Sequence, residues 1–143
     1  MNILVINGPN LNLLGERHPE IYGQDTLGDL MDWLKNTPEG LKQDFKFYQS
    51  NHEGGIIDCI HDNRQWSDGI ILNAGAFTHY SYAIRDAIEA VGVDTIEVHI
   101  SDIKNREEFR RKSALEDVCL HQIYGMGKLS YLEGLKILLN KEL

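Results

Sequence analysis

Cysteine is scarce in this chain. Its 143 residues hold two, Cys59 and Cys119, with no C-x-x-C spacing. Both lie among apolar neighbours, so they read as buried thiols rather than a disulfide or redox pair. No stretch approaches the roughly 20 apolar residues of a membrane span. The opening Met1-Asn2-Ile3 has neither a basic start nor a long apolar run, so no signal peptide is expected and cytoplasm is the default compartment. Basic residues are outnumbered: 14 Lys and Arg against 22 Asp and Glu leave a net charge of −8. That balance argues against nucleic acid or an anionic membrane as partner. An anionic substrate would need a local cluster of cations set against the overall field.

Several chemical signatures are missing as well. There is no H-E-x-x-H and no clustered Cys/His pattern, and His52, His61 and His121 are scattered, so no metal site is expected. Gly125-Met126-Gly127-Lys128-Leu129-Ser130 lacks the G-K-[ST] ending of a P-loop and the third glycine of a dinucleotide fingerprint. A G-x-S-x-G elbow is absent. Every lysine lies in a polar or helix-surface context, which disfavours the desolvated amine that imine chemistry requires.

What is present is an ordinary globular composition, 42% apolar and 25% charged, in a length that fits one domain over residues 1–143. Apolar runs suited to buried parallel strands alternate with helical stripes. The strands are expected at Ile3–Ile6, Phe45–Tyr48 (an edge candidate), Gly69–Leu72, Thr95–Ile100 and Cys119–Tyr124. One helix is expected from about Thr26, where Thr26 and Asp29 resemble a capping pair, a second carries the stripe Ile56, Ile57 and Ile60 and ends near Trp66, and a third spans Ala83–Val91. A short polar helix is expected over Arg106–Lys112, and a closing helix carries Leu132, Leu135, Leu138 and Leu139. The alternation predicts an α/β fold, a doubly wound five-stranded parallel sheet of flavodoxin-like order 2-1-3-4-5 with helices on both faces. Ligands then bind beyond the carboxyl ends of the strands, at the switch between strands 1 and 3.

One connection is too long. Residues 8–25 have no clear helical or strand period, whereas most βα loops have about 2–6 residues. Leu11, Leu13, Leu14 and Ile21 argue against disorder, so the segment reads as a lid, with Gly15 and Gly23 as hinges around Arg17 and Tyr22. The strand ends add Asn7, Asn10, Asn12, Asn73, His79, His99 and Ser101 to the same rim. His99 lies between Glu97 and Ser101 at i±2, on the same strand face. It is either a core histidine satisfied by a carboxylate or an acid/base residue whose charge that carboxylate sets. Tyr22 taken singly is an ordinary loop tyrosine. A guanidinium beside it, such as Arg17, can lower a phenol's pKa by about 1–3 units, enough to make a phenolate base.

These segments resemble a known family. Asn7-Gly8-Pro9-Asn10-Leu11-Asn12-Leu13-Leu14-Gly15-x-Arg17-x-Pro19-x-x-Tyr22-Gly23 is similar to the signature of type II 3-dehydroquinate dehydratase. So are Gln49-Ser50-Asn51-His52-Glu53-Gly54, Asn73-x-Gly75-Ala76-x-Thr78-His79, Ala83-Ile84-Arg85-Asp86-Ala87, Glu97-Val98-His99-x-Ser101 and Arg106-Glu107-x-Phe109-Arg110. The similarity runs in order over residues 1–113, and beyond that only the glycine pattern of Gly125-Met126-Gly127 continues it. Departures are His18, Asp102 and Arg111.

The resemblance implies a flavodoxin-like lyase that dehydrates 3-dehydroquinate to 3-dehydroshikimate through an enolate, without cofactor or metal, in a homo-oligomer, a dodecamer of trimers. It implies Tyr22 as the base at C2, Arg17 keeping it ionised, and Asn12 holding a water at the enolate. His99 would protonate the departing C1 hydroxyl, with Glu97 orienting it. Asn73 and the amides of Ile100 and Ser101 would hold the carboxylate, His79 and Arg110 the ring hydroxyls, and Asp86 would reach a neighbouring subunit's site. The competing reading of the same rim is a flavodoxin-like module that binds an anion or nucleotide without catalysis.

Overall fold

A parallel strand covered on both faces must be apolar at successive positions, and the central strands meet that demand. The computed structural model describes residues 1–16, 20 and 24–140. Its parallel sheet has the order β2-β1-β3-β4-β5, with β1 at Asn2–Asn7, β2 at Asp44–Gln49, β3 at Gly69–Asn73, β4 at Thr95–Val98 and β5 at His121–Ile123. All of β3 and β4 is buried. β2 has exposed positions and lies on an edge, as its alternating sequence predicts.

Helices cover both faces. On one, Ile3, Val5, Ile71, Ile96 and Val98 pack with Leu30, Met31 and Leu34 of α1 (Leu27–Lys35) and with Tyr131, Leu135 and Leu138 of α4 (Leu129–Asn140). On the other, Leu4, Ile6, Ile70 and Leu72 pack with Ile56 and Ile60 of α2 (Glu53–Asp62) and with Ile84, Ala87 and Ile88 of α3 (Tyr82–Val91). Each such side chain contributes about 1.5–3 kcal/mol on leaving water. Thr26 and Asp29 form the expected capping box, with Asp29 N donating to Thr26 Oγ1 at 3.0 Å and Thr26 N to Asp29 Oδ2 at 3.1 Å. Burial pushes the Cys59 thiol up to about 11 and the Cys119 thiol up to about 12, as suits unreactive thiols. No described helix is long and apolar enough to cross a membrane.

Four boundaries differ from the sequence expectation. α2 ends at Asp62, short of Trp66, because the Asn63 amide donates to the Cys59 carbonyl at 2.8 Å and caps it. β4 stops at Val98, so His99 and Ser101 stand beyond the strand, although His99 N still donates to Ile123 O at 2.8 Å. β5 is shorter than expected at both ends. The helix expected over Arg106–Lys112 is replaced by 3-10 turns at Ile103–Asn105 and Glu108–Arg111. Glu108–Arg111 has no buried residue to anchor a longer helix. Asp102 instead accepts from Lys104 N, and Arg111 Nε donates to the Arg106 carbonyl at 3.2 Å.

In the long β1–α1 connection, Leu11–Leu13 forms a 3-10 turn, and Leu11 and Leu14 enter the core. Gly15, an expected hinge, has φ 90°. Arg17, His18, Ile21, Tyr22 and Gly23 lie outside the described residues. Gly8 begins this connection where β1 and β3 converge: its amide donates to Asn73 O at 2.7 Å, and a Cβ there would lie 2.5 Å from the backbone of Ala74. Backbone cannot yield as a flexible side chain would. Gly8→Ala is therefore expected to cost about 1–3 kcal/mol, measured as a lower urea midpoint with unchanged slope.

Candidate active site

The carboxyl ends of β1, β3 and β4 open into a cleft with about 100 Å³ of water-accessible space. Asn73, His79, His99, Ile100, Ser101 and Arg110 all line it, together with Asn10, Gly75 and Arg106. Six residues that the resemblance assigns to the site, and the rim residue Asn10, are thus brought together. Glu97 lies beneath them, fully buried. Asn12 is exposed beside the cleft rather than in its lining, and its Oδ1 accepts from Gln49 Nε2 at 3.4 Å. Asp86 is exposed on α3 and does not line this cleft. Arg17 and Tyr22 lie outside the described residues.

His99 is 5% exposed, and its Nε2 lies 2.5 Å from Glu97 Oε2. An ionised carboxylate only accepts, so Nε2 carries the hydrogen and Nδ1 is left for the cleft. Burial would raise the pKa of Glu97. Hydrogen bonds from His99, Gln122 and Ser113, with the nearby imidazole charge, outweigh that and hold it below the ordinary glutamate value. His79 is turned the other way: its Nδ1 donates to the Lys112 carbonyl at 2.7 Å, leaving Nε2 free. Burial lowers its pKa, so the neutral ring is favoured.

The cleft also has the means to hold an anion. The carbonyls of Ile100 and Ser101 accept from Gly127 N and Gly125 N at 3.1 and 3.0 Å. Their own amides have no acceptor among the described residues. Arg106 and Arg110 line the cleft too, and no Asp or Glu is in the lining among the described residues. Outside the lining, the exposed Glu107 carboxylate accepts from Arg110 Nε at 2.7 Å and lies 3.9 Å from Arg106 Nε. The two arginines, partly offset by Glu107, are the local cations that an anionic ligand would meet in a chain of net charge −8.

The floor is a polar chain through the sheet. Asn7 and Asn73 are partners in the β1–β3 register. Tyr131 OH donates to Asn7 Oδ1 at 2.6 Å and accepts from Asn73 Nδ2 at 2.9 Å, while Asn73 Oδ1 accepts from Gly75 N at 3.2 Å. Asn73 is thereby held toward the cleft.

Sequence reasoning assigned no role to Arg106, Ser113, Gln122 or Tyr131. Arg106 had a signal, since it precedes Arg110 by four residues in the same run. Gln122 had one too: it is a polar residue in a short strand, opposite Glu97 once β4 and β5 are aligned.

Glu97 also sets a pH dependence. Its folded pKa is depressed, so the stability it contributes is fully present above the ordinary glutamate value of about 4.3 and is lost as pH falls through the lower folded value. Urea unfolding is expected to show stability declining below about pH 4, with that component missing in Glu97→Gln.

The relatives of this chain belong to one family. A family model described as dehydroquinase class II matches residues 1–139, well past residue 113 and through β5 into α4. The 3-dehydroquinate dehydratase of Bacillus licheniformis is 48% identical over 139 residues, covering 97% of this chain and 96% of its own. That of Caldicellulosiruptor saccharolyticus is 54% identical over 134 residues, covering 93% and 92%. The crystal structure of the type II dehydroquinase from Butyrivibrio crossotus superposes with a TM-score of 0.94 at 48% identity, covering 97% of each chain. By sequence and by fold, the chain belongs to the class II dehydroquinase family.

Proposed function

We propose that this chain dehydrates 3-dehydroquinate to 3-dehydroshikimate by acid/base catalysis, with His99 as the acid. The observation that carries the reading is His99 itself: its Nε2 is committed to the buried Glu97 carboxylate, and it lines a cleft furnished with free amides and two arginines.

The substrate carboxylate would sit against the amides of Ile100 and Ser101 and the Asn73 side chain. His79 and Arg110 would meet the ring hydroxyls. Tyr22, kept ionised by Arg17, takes the C2 proton beside the ketone, and the electron pair moves into an enolate. Asn12 would hold a water against that enolate. As the enolate collapses, the C1–O bond breaks and Nδ1 of His99 gives its proton to the departing oxygen, releasing water and leaving the C1=C2 bond conjugated with the ketone. Glu97 stabilises the imidazolium before transfer. One proton taken by Tyr22 and one given by His99 balance over the cycle.

A binding module without catalysis is not favoured. It would have no need of an aligned His99–Glu97 pair, and the relatives named above are dehydratases.

The assembly implied by the resemblance is a dodecamer built of trimers, in which Asp86 reaches a neighbouring subunit's site. Tyr80, Tyr82 and Phe109 are 59%, 72% and 56% exposed, a large apolar offering near α3, and such surface suits contact with a second copy.

Adding dehydroquinate is expected to raise the absorbance of the conjugated enone. Tyr22→Phe and His99→Ala should fold normally and lose about 10²–10⁴ in kcat. A fully active, folded His99→Ala would refute the mechanism. Borohydride with substrate should not inactivate, because no imine forms. Native mass spectrometry is expected to give a multiple of three chains, with the twelve-chain species absent or weakened in Asp86→Ala if that carboxylate crosses the interface.

A further inference from the structure

We propose that Ser113 and Gln122 are positioning residues for the acid step: together they hold the Glu97 carboxylate ionised and aligned, so that His99 keeps its hydrogen on Nε2 and offers Nδ1 to the cleft. The inference rests on His99 being the acid, and it adds what fixes the tautomer of the neutral ring to which that acid returns once its Nδ1 proton is given.

The chemistry of the donors carries it. A serine hydroxyl has one hydrogen and two lone pairs. Ser113 Oγ accepts from Leu115 N and Glu116 N, each at 3.1 Å, which occupies both lone pairs. Its hydrogen is then committed to Glu97 Oε1 at 2.8 Å. Gln122 stands opposite Glu97 in the β4–β5 register, and its Nε2 donates to Oε2 at 3.0 Å. Both oxygens of a fully buried carboxyl are therefore met by groups that only donate there. A protonated Glu97 would have to lose one of them. With Glu97 an obligatory acceptor, the 2.5 Å contact to His99 requires hydrogen on Nε2.

Ser113 is also well placed to couple the two histidines. The preceding residue's carbonyl, that of Lys112, receives His79 Nδ1 at 2.7 Å. The following residue, Ala114, donates its amide to Thr78 O at 2.7 Å. Residues 112–114 thus form one strap that sets the ring of His79 directly and the ring of His99 through Glu97.

The test uses Gln122→Met and Ser113→Ala, with Ser113→Thr as the conservative control. In the unliganded enzyme, nitrogen-15 NMR of the histidine rings is expected to show the wild-type His99 with hydrogen on Nε2 and a mixture of tautomers in Gln122→Met and Ser113→Ala. Steady-state assays are expected to show kcat reduced about tenfold in each, with KM changed by less than about twofold. Ser113→Thr should restore both readings. In a Glu97→Gln background neither substitution should lower kcat further, because the carboxylate through which both act is gone.

Wild-type tautomer and kcat in folded Gln122→Met and Ser113→Ala would overturn the proposal. So would losses that simply add to that of Glu97→Gln. A wild type that fails to turn over dehydroquinate refutes the function reading instead, and the NMR comparison still decides the positioning of His99.

Discussion

A carboxylate with no exposed surface must find a donor for each oxygen, because an unpaired buried charge costs several kcal/mol. Glu97 draws its donors from separate parts of the chain: His99 just past its own strand, Ser113 from the segment after the arginines, and Gln122 from β5. That single requirement ties much of the site together. It holds β5 to β4 in one register. It fixes the strap of residues 112–114, and with it the Lys112 carbonyl that turns His79. Removing the charge would release constraints on both histidines, whereas removing an apolar residue from the sheet would only weaken packing.

The second organising feature is the convergence of β1 and β3. Neighbouring strands that send their connections to opposite faces leave a gap at their carboxyl ends. Here Gly8 lets the backbones approach within a distance that no other residue tolerates. Asn7, Asn73 and Tyr131 fill the floor with mutually satisfied polar groups. Above that floor stand the free amides of Ile100 and Ser101 and two arginines that share the Glu107 carboxylate, a set of donors gathered in an acidic protein. Preorganised donors of this kind act without reorganisation when charge develops.

The fold was legible because buried parallel strands leave unmistakable apolar runs, as in Ile70-Ile71-Leu72, and because Thr26 and Asp29 announce a helix start chemically. The polar helix over Arg106–Lys112 failed because its one apolar side chain, Phe109, stays exposed, so a hydrogen bond accepted by Asp102 and one donated by Arg111 shaped the backbone instead. His99 was legible from its position beside Glu97. Its geometric detail was not: Ser113 lies 16 residues from Glu97 and Gln122 lies 25 away, and only the β4–β5 register, for Gln122, and the path of the chain after Arg110, for Ser113, bring them to it. Tyr131 was hidden for the same reason, since a tyrosine in an apolar helix reads as core until its hydroxyl is placed between two asparagines.

That last contact also bears on how the protein is made. Tyr131 donates to Asn7 across 124 positions of sequence. A ribosome therefore delivers the first strand long before its partner exists, and the ends of β1 and β3 must remain hydrated while the intervening elements emerge. At about 5–20 residues per second, this interval lasts on the order of ten seconds. The dry floor is sealed only when α4 arrives, so a nascent chain lacking that helix carries every strand and still has no finished pocket.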